Sequence, residues 1–421
     1  MKIDIPYGKN FVNIEIPDKS RIVYPEKLSG VSNVRAEIRK ALNNPIGCLP
    51  IRQLATGKTD AIIVINDITR PIPTKVMLEE LLKDLAKAGI EGDDVKVVIA
   101  LGNHRPNTKE EIMQMVGKEL YNRLNIYNHD CEDDSHLTFM GVTKGGLPIW
   151  VNSLFAKASL KILTGLITPH QSAGYSGGRK SIIPGIAGLE TLRLHHSFPI
   201  RPYEPAFGWL QGNPFHEEAL NGARIVGTDF ILNVVKNSDG EIIKAVAGDL
   251  LLAHERGVNF CKESWIVKLN KKYDIAIVSP GGYPRDFDLH QSQKAISPVE
   301  NILQEQGIIV LLAECIDGIG KFGELLKNAE SPKQMIKRFR NEGFTPDHSS
   351  KAFMYARALD KFKVILSCSG IEQKEVEQMF FQYAADSQTA INMSLRLKGP
   401  DANIIVLPYA IDTIPIVEEI K

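Results

Sequence analysis

The stretch "TPHQSAGYSGGRKSIIPGIAG", Thr168 to Gly188, decides how this chain is read. Gly174, Gly177, Gly178, Gly185 and Gly188 rule out an ordinary helix interior, where each glycine costs about 1 kcal/mol relative to alanine. The stretch follows "LKILTGLI", Leu160 to Ile167, an apolar run of strand length. A polar, glycine-rich segment just past a strand's carboxyl end is where open α/β sheets bind ligands. The plainer alternative is a long surface loop with incidental charges.

Working outward, two upstream segments repeat the arrangement. "DAIIVINDITRP" (Asp60 to Pro71) and "DVKVVIALGNHRPNT" (Asp94 to Thr108) each read as a buried strand ending in a polar turn. Between and after them, "TKVMLEELLKDLAKAG" and "KEEIMQMVGKELYNRL" have helical periodicity, with Thr74 as the expected N-cap of the first and Gly89 past its end. Strands alternating with helices predict a parallel sheet, whose successive loops emerge on one edge. That topology brings Asp67, Arg70, His104, His170 and Lys180 toward one crevice.

The N-terminus alternates instead. "KIDIPYG" and "FVNIEIP" predict two strands around a Gly-Lys-Asn turn. Near the middle, "LLAHERGVNFCKESWIVKL" (Leu251 to Leu269) reads as a helix running into a strand. The pattern then starts afresh with "YDIAIVSPGGYPRDFDLHQSQKAISPV", followed by the short apolar runs "GIIVLLAEC", "KVILSC" and "ANIIVLP". The fold class expected is therefore α/β: two α/β domains with mainly parallel sheets and an active-site cleft between them. The first spans residues 1–269 and the second 270–400, with the tail 401–421 expected to return to the first.

The chain has 421 residues, with 50 Lys plus Arg against 50 Asp plus Glu. A zero formal charge gives no global basic field of the kind that draws proteins to nucleic acid. Its 5 cysteines are scattered without a C-x-x-C pair, which argues against a zinc ribbon or dithiol motif and for a reducing, cytoplasmic compartment. No apolar run approaches membrane-spanning length, so neither a membrane nor a nucleic acid is an expected partner.

The candidate chemistry lies in few residues. His104 and His170 each follow a strand, and imidazole can give or take a proton near pH 7. Read alone, either is a solvated or capping residue; facing each other, they suit deprotonation on either side of one carbon. "GYSGGRK" resembles a phosphate cradle, in which small residues let backbone N–H groups approach an anion beside Arg179 or Lys180. Its spacing fits neither a Walker A loop nor G-x-G-x-x-G. Lys180 could equally anchor a carbonyl-type cofactor covalently. His195 and His196 are adjacent, so on a helix at most one faces a site. "DLHQSQKAI" offers His290, Gln291 and Lys294, with Lys294 either binding a substrate carboxylate or simply solvated. The acidic "DCEDDSH" (Asp130 to His136) lacks calcium-loop spacing and reads as a solvated turn.

Taken together, "DITRP", "GNHRP", "TPHQSAGYSGGRKSIIPGIAG", the histidines 195–196 and "QSQK" at 291–294 resemble the nickel-dependent lactate racemase family over nearly the whole chain. The resemblance implies a 2-hydroxy acid racemase or epimerase working by reversible hydride transfer to a nickel-pincer nucleotide. It implies Lys180 as the covalent cofactor anchor and His196 as the nickel ligand, with Asp67, Gly174, Ser176, Gly177 and Gly178 at the cofactor. His104 and His170 would be the acid/base pair; Arg70, Gln291 and Lys294 would hold the substrate. The partners implied are the small hydroxy acid and the proteins that build the cofactor, and a homo-oligomer is compatible with it. One departure stands out: where lactate-specific members carry an aromatic residue before the glutamine, this chain has His290, with Phe353 and Tyr355 as candidates for the neighbouring wall. That points to a larger or more polar hydroxy acid or a sugar acid. The rival readings are a nicotinamide-dependent hydroxy-acid dehydrogenase, for which no dinucleotide fingerprint exists, and a non-catalytic binder of a phosphorylated ligand.

Overall fold

A computed structural model describes residues 1–26, 28–345 and 348–418. The chain forms two compact units: Lys27–Pro202 with Gly208–Ser264, and Met1–Glu26 with Tyr203–Phe207 and Trp265–Lys421.

In the first unit, a six-stranded sheet among the described residues runs in the order Ile242–Gly248, Phe230–Lys236, Leu160–Ile167, Ala61–Asn66, Val95–Ala100, Asn125–Asn128. Every neighbouring pair is parallel except the first. Successive side chains on a strand face opposite ways, and here both directions are apolar. Ile63, Ile65, Val97, Ile99 and Ile162 pack with Met77, Leu78 and Leu81 of the helix Thr74–Ala86. Their neighbours Ile62, Val64, Val98 and Leu163 pack with Phe155 and Ala219 instead. A parallel sheet buried on both faces demands such unbroken apolar runs, which is why these strands lack polar alternation.

Two local expectations are corrected. Thr74 is not the N-cap: Pro73 occupies that position, and Thr74 is the first helical residue, buried at 4 % exposure. The segment from Lys109 is two helices, Lys109–Val116 and Lys118–Arg123, because Gly117 takes φ +83°, a backbone conformation that stops a helix. The first of them opens with a Thr108–Glu111 capping box.

The second unit has its own parallel sheet, in the order Gln382–Ala384, Lys363–Ser367, Leu303–Leu312, Tyr273–Val278, Ile404–Leu407, Arg21–Ile22. It differs from the expected division at both chain ends. The hairpin Lys2–Tyr7/Asn10–Glu15 places Ile3, Ile5, Ile14 and Ile16 in one core with Ile275, Val310 and Ile404, so residues 1–26 belong here and not with the first domain. The tail does not return to the first domain either. Ile404–Leu407 pairs with Tyr273–Val278, and Ile414–Val417 pairs with Ile266–Leu269. The reason is backbone hydrogen bonding: the open edge of Tyr273–Val278 takes the late strand as its parallel neighbour. Among the described residues, no helix is long and apolar enough to cross a membrane.

Candidate active site

The strands Leu160–Ile167, Ala61–Asn66 and Val95–Ala100 are adjacent and parallel, so the three polar segments that follow them leave one edge side by side. The loop after Leu160–Ile167 is held by its own residues. The Ser176 hydroxyl donates to Leu166 O (2.7 Å) and accepts from the Thr168 N–H (2.9 Å). The Gly178 N–H donates to Oδ1 of Asn233, 2.8 Å away on the neighbouring strand. Glycine is required at two points. A Cβ on Gly174 (φ +72°) would lie 2.1 Å from Trp209 O, and one on Gly177 (φ +81°) would lie 2.7 Å from Asn233 Oδ1.

His104 and His170 are prepared differently. Nδ1 of His104 lies 2.6 Å from Oδ2 of the buried Asp67, while the His104 side chain is 49 % exposed. The other Asp67 oxygen accepts from the Thr69 N–H (3.1 Å) and hydroxyl (2.6 Å). Burial works to raise the Asp67 carboxyl, but the bonds from His104 and Thr69 and the charges of His104 and Arg70 outweigh it and hold it below the usual range. An ionised Asp67 accepts a hydrogen bond from Nδ1–H, so the neutral His104 ring presents its lone pair at Nε2.

In His170, Nδ1 accepts from the backbone N–H groups of Ser172 (3.2 Å) and Ala173 (3.1 Å), and Nε2 lies 3.2 Å from Nζ of Lys180. Burial, with the charges of Lys180 and Arg70 adding, holds this imidazole well below its ordinary value. Lys180 is half-buried, its Nζ 5.7 Å from the centre of the Phe215 ring. Burial, then Arg179 and Arg70, brings its amine down to about 7.

The paired histidines separate cleanly. His195 is fully buried against Phe215, with Nε2 donating to Phe215 O at 2.8 Å; burial pushes it down to about 3. His196 caps the helix Leu189–His195 and is half-buried; its Nδ1 donates to Leu192 O at 3.0 Å, which points the unprotonated nitrogen, Nε2, away from the helix. Among the described residues there is no group of three or more His, Cys, Asp or Glu able to hold a metal. A metal here would draw one imidazole from His196 and its remaining donors from a cofactor. An imidazole whose Nδ1–H is fixed by a carbonyl, a reactive lysine and a glycine cradle together fit such a group.

Of the residues in the second unit, Lys294 Nζ donates to Gln291 Oε1 at 2.7 Å, so these two form a pair on the helical segment Leu289–Ala295. His290 is half-buried, its ring 6.0 Å from that of Phe322, and burial pushes it down to about 3. Phe353 and Tyr355 are fully buried. Sequence reasoning missed Asp67 as the partner of His104 and missed Asn233 altogether. A lone asparagine inside the apolar strand "FILNVVK" was the available signal for the latter.

These features gather imidazoles, a lysine amine and a glycine-rich loop into a candidate site at the carboxyl edge of a parallel sheet. The chain matches the family models of the lactate racemase N-terminal domain over residues 7–206 and the lactate racemase C-terminal domain over residues 268–415. It is 34% identical to the lactate racemase of Thermoanaerobacterium thermosaccharolyticum, covering 98% of each chain, and 32% identical to that of Lactiplantibacillus plantarum, covering 98% of this chain and 99% of the other. The structure of the lactate racemase apoprotein from T. thermosaccharolyticum superposes with a TM-score of 0.90 at 32% identity over 100% of both chains. A Thermotoga maritima protein at 18% identity (TM-score 0.66, covering 93% of this chain and 100% of the other) shares the fold. The chain belongs to the lactate racemase family, and so to the isomerases.

Proposed function

We propose that this protein racemises or epimerises a small 2-hydroxy acid, lactate being the substrate its relatives' names give. The observation that carries the reading is the pair of differently prepared imidazoles after the two strands that flank Ala61–Asn66: His104 held by Asp67, and His170 held by two backbone N–H groups beside Lys180. A reaction that must run on either face of one carbon needs a proton acceptor and a proton donor that can exchange roles.

Lys180 and His196 would hold a nickel-pincer nucleotide, with Gly174, Ser176, Gly177 and Gly178 shaping the loop beside it. When bound, that group supplies a reversible hydride acceptor for the substrate's C2. His104 takes the hydroxyl proton of one enantiomer at Nε2, and His170 serves the other face as the second acid/base group. Asp67 stabilises the imidazolium that forms on His104. Arg70 binds the carboxylate as a charge-assisted pair, and Gln291 with Lys294 are the second unit's candidates for the same substrate. The cofactor comes from dedicated biosynthetic proteins, and the five free cysteines accord with work in a reducing cytoplasm.

The test is a racemisation screen over 2-hydroxy acids with protein made in a cofactor-competent host, alongside nickel content and the mass of the Lys180 peptide. Conversion of one enantiomer to the other, with bound nickel and an adduct on Lys180, is the expected result. Loaded protein that converts no 2-hydroxy acid overturns the reading. The half-buried His290 favours a polar substrate in that screen over the simplest hydroxy acids.

A further inference from the structure

The loop that carries His170 and Lys180 is built around one buried side chain. Arg179 is 1 % exposed, and its guanidinium reaches three carbonyls of that loop: Ala173 O and Tyr175 O at 2.8 Å and Gly177 O at 3.3 Å. The guanidinium also donates to Nε2 of His254 at 2.8 Å. Among the described residues no carboxylate pairs with it. His254 is a neutral partner, because burial first, and Arg179 next, hold that imidazole well below its ordinary value. A buried cation satisfied only by neutral groups is costly to fold around, and its field acts unscreened on the groups beside it.

Which groups those are follows from the carbonyls it holds. Ala173, fixed through its carbonyl, supplies one of the two N–H donors on Nδ1 of His170. With Nδ1 accepting from two backbone N–H groups, a neutral His170 must carry its proton on Nε2. That N–H faces Lys180 Nζ at 3.2 Å, and an N–H can meet only an acceptor there, so Lys180 stands as a free amine. The charges that act on Lys180 agree: Arg179 and Arg70 are both cations, and neither favours a protonated amine.

We propose that Arg179 is a positioning residue that presets this pair in the cofactor-free chain, holding His170 as the Nε2–H tautomer and Lys180 as an unprotonated amine before the cofactor bonds to it. The inference rests on the reading of His170 and Lys180 as site residues, but its test needs no cofactor and no turnover. The full chain is prepared cofactor-free as wild type, R179K and R179M. Carbamylation of Lys180 by cyanate is followed across pH by peptide mass spectrometry, and the ¹⁵N shifts of the His170 ring report its tautomer.

Wild-type Lys180 should react as a free amine near neutral pH. R179M, lacking the charge, should slow that reaction about fivefold at pH 7, the effect of raising an amine pKa from about 7 by one unit. R179K keeps the charge but loses the planar fork, so Lys180 should stay reactive while the His170 spectrum shows both tautomers. A folded R179M with unchanged Lys180 reactivity overturns the proposal. Should R179M fail to fold, R179K decides alone: an unchanged single His170 tautomer overturns it. Neither result bears on whether loaded wild-type protein racemises a hydroxy acid, so the two readings fail separately.

Discussion

Arg179 and Arg357 are almost equally buried, at 1 % and 2 % exposure, yet they are satisfied in opposite ways. Arg357 makes a two-pronged pair with Glu300, at 2.8 Å and 2.6 Å, and donates to Tyr203 O at 2.8 Å. Charge there cancels locally, and the pair ties the short segment Tyr203–Phe207 to the unit it belongs to. Arg179 has carbonyls and a neutral imidazole, so its field is left to act on Lys180 and His170. A buried ion pair settles structure, while a buried charge without a counter-ion tunes its neighbours.

The contrast breaks most visibly if the region around Arg179 is not the reacting one. His104→Ala and His170→Ala, each confirmed to retain nickel and the Lys180 adduct, should lose about 10²–10⁴-fold in turnover in both directions. Near-normal rates in either loaded variant would remove the two-base reading. Next in size is the other arginine. Glu300→Ala strands the Arg357 guanidinium in the core and should cost about 3–5 kcal/mol in urea unfolding, with the Lys180 amine unchanged. Should that variant shift Lys180 instead, the two arginines are not separable.

Smaller is the effect of the cradle. Gly177→Ala forces a side chain into φ +81° and against Asn233 Oδ1, for about 1–3 kcal/mol of destabilisation, and should weaken cofactor retention more than Gly240→Ala, where φ is also positive but nothing lies within 4 Å. Acidification acts in small steps, unit by unit of pH. Burial pushes His195 and His216, near the Arg179 loop, to about 3. Between about 3 and 6.5 the unfolded chain binds protons that the native imidazoles do not, so stability rises with pH through that window and is lost on acidification. Each unit below 6.5 should remove about 1.4 kcal/mol per imidazole. Urea midpoints that do not fall between pH 7 and pH 5 would show these histidines to be wetter than the structure has them.

Much of the candidate site's placement could be read in advance because its residues follow strands that announce themselves. "AIIVIN", "VKVVIA" and "LKILTGLI" are continuous apolar runs, and parallel neighbours send their following loops to one edge. The helical break at Gly117 and the placement of residues 1–26 were not legible in the same way. The first depends on one glycine's φ, and the second on which core Ile3 and Ile5 reach.

By itself, the amino-acid sequence determined the α/β class, the three site-bearing strands, and the order of His104, His170, Lys180 and His196 along the chain. Those follow from local periodicity and from motif spacing. Only the tertiary structure decided that Asp67 orients His104, that Asn233 anchors Gly178, that Arg179 meets His254 across 75 positions, and that the tail completes the second unit's sheet. Such contacts join residues whose meeting is set by strand register and loop path, quantities fixed by the packing of the whole unit and carried by no short stretch of chain.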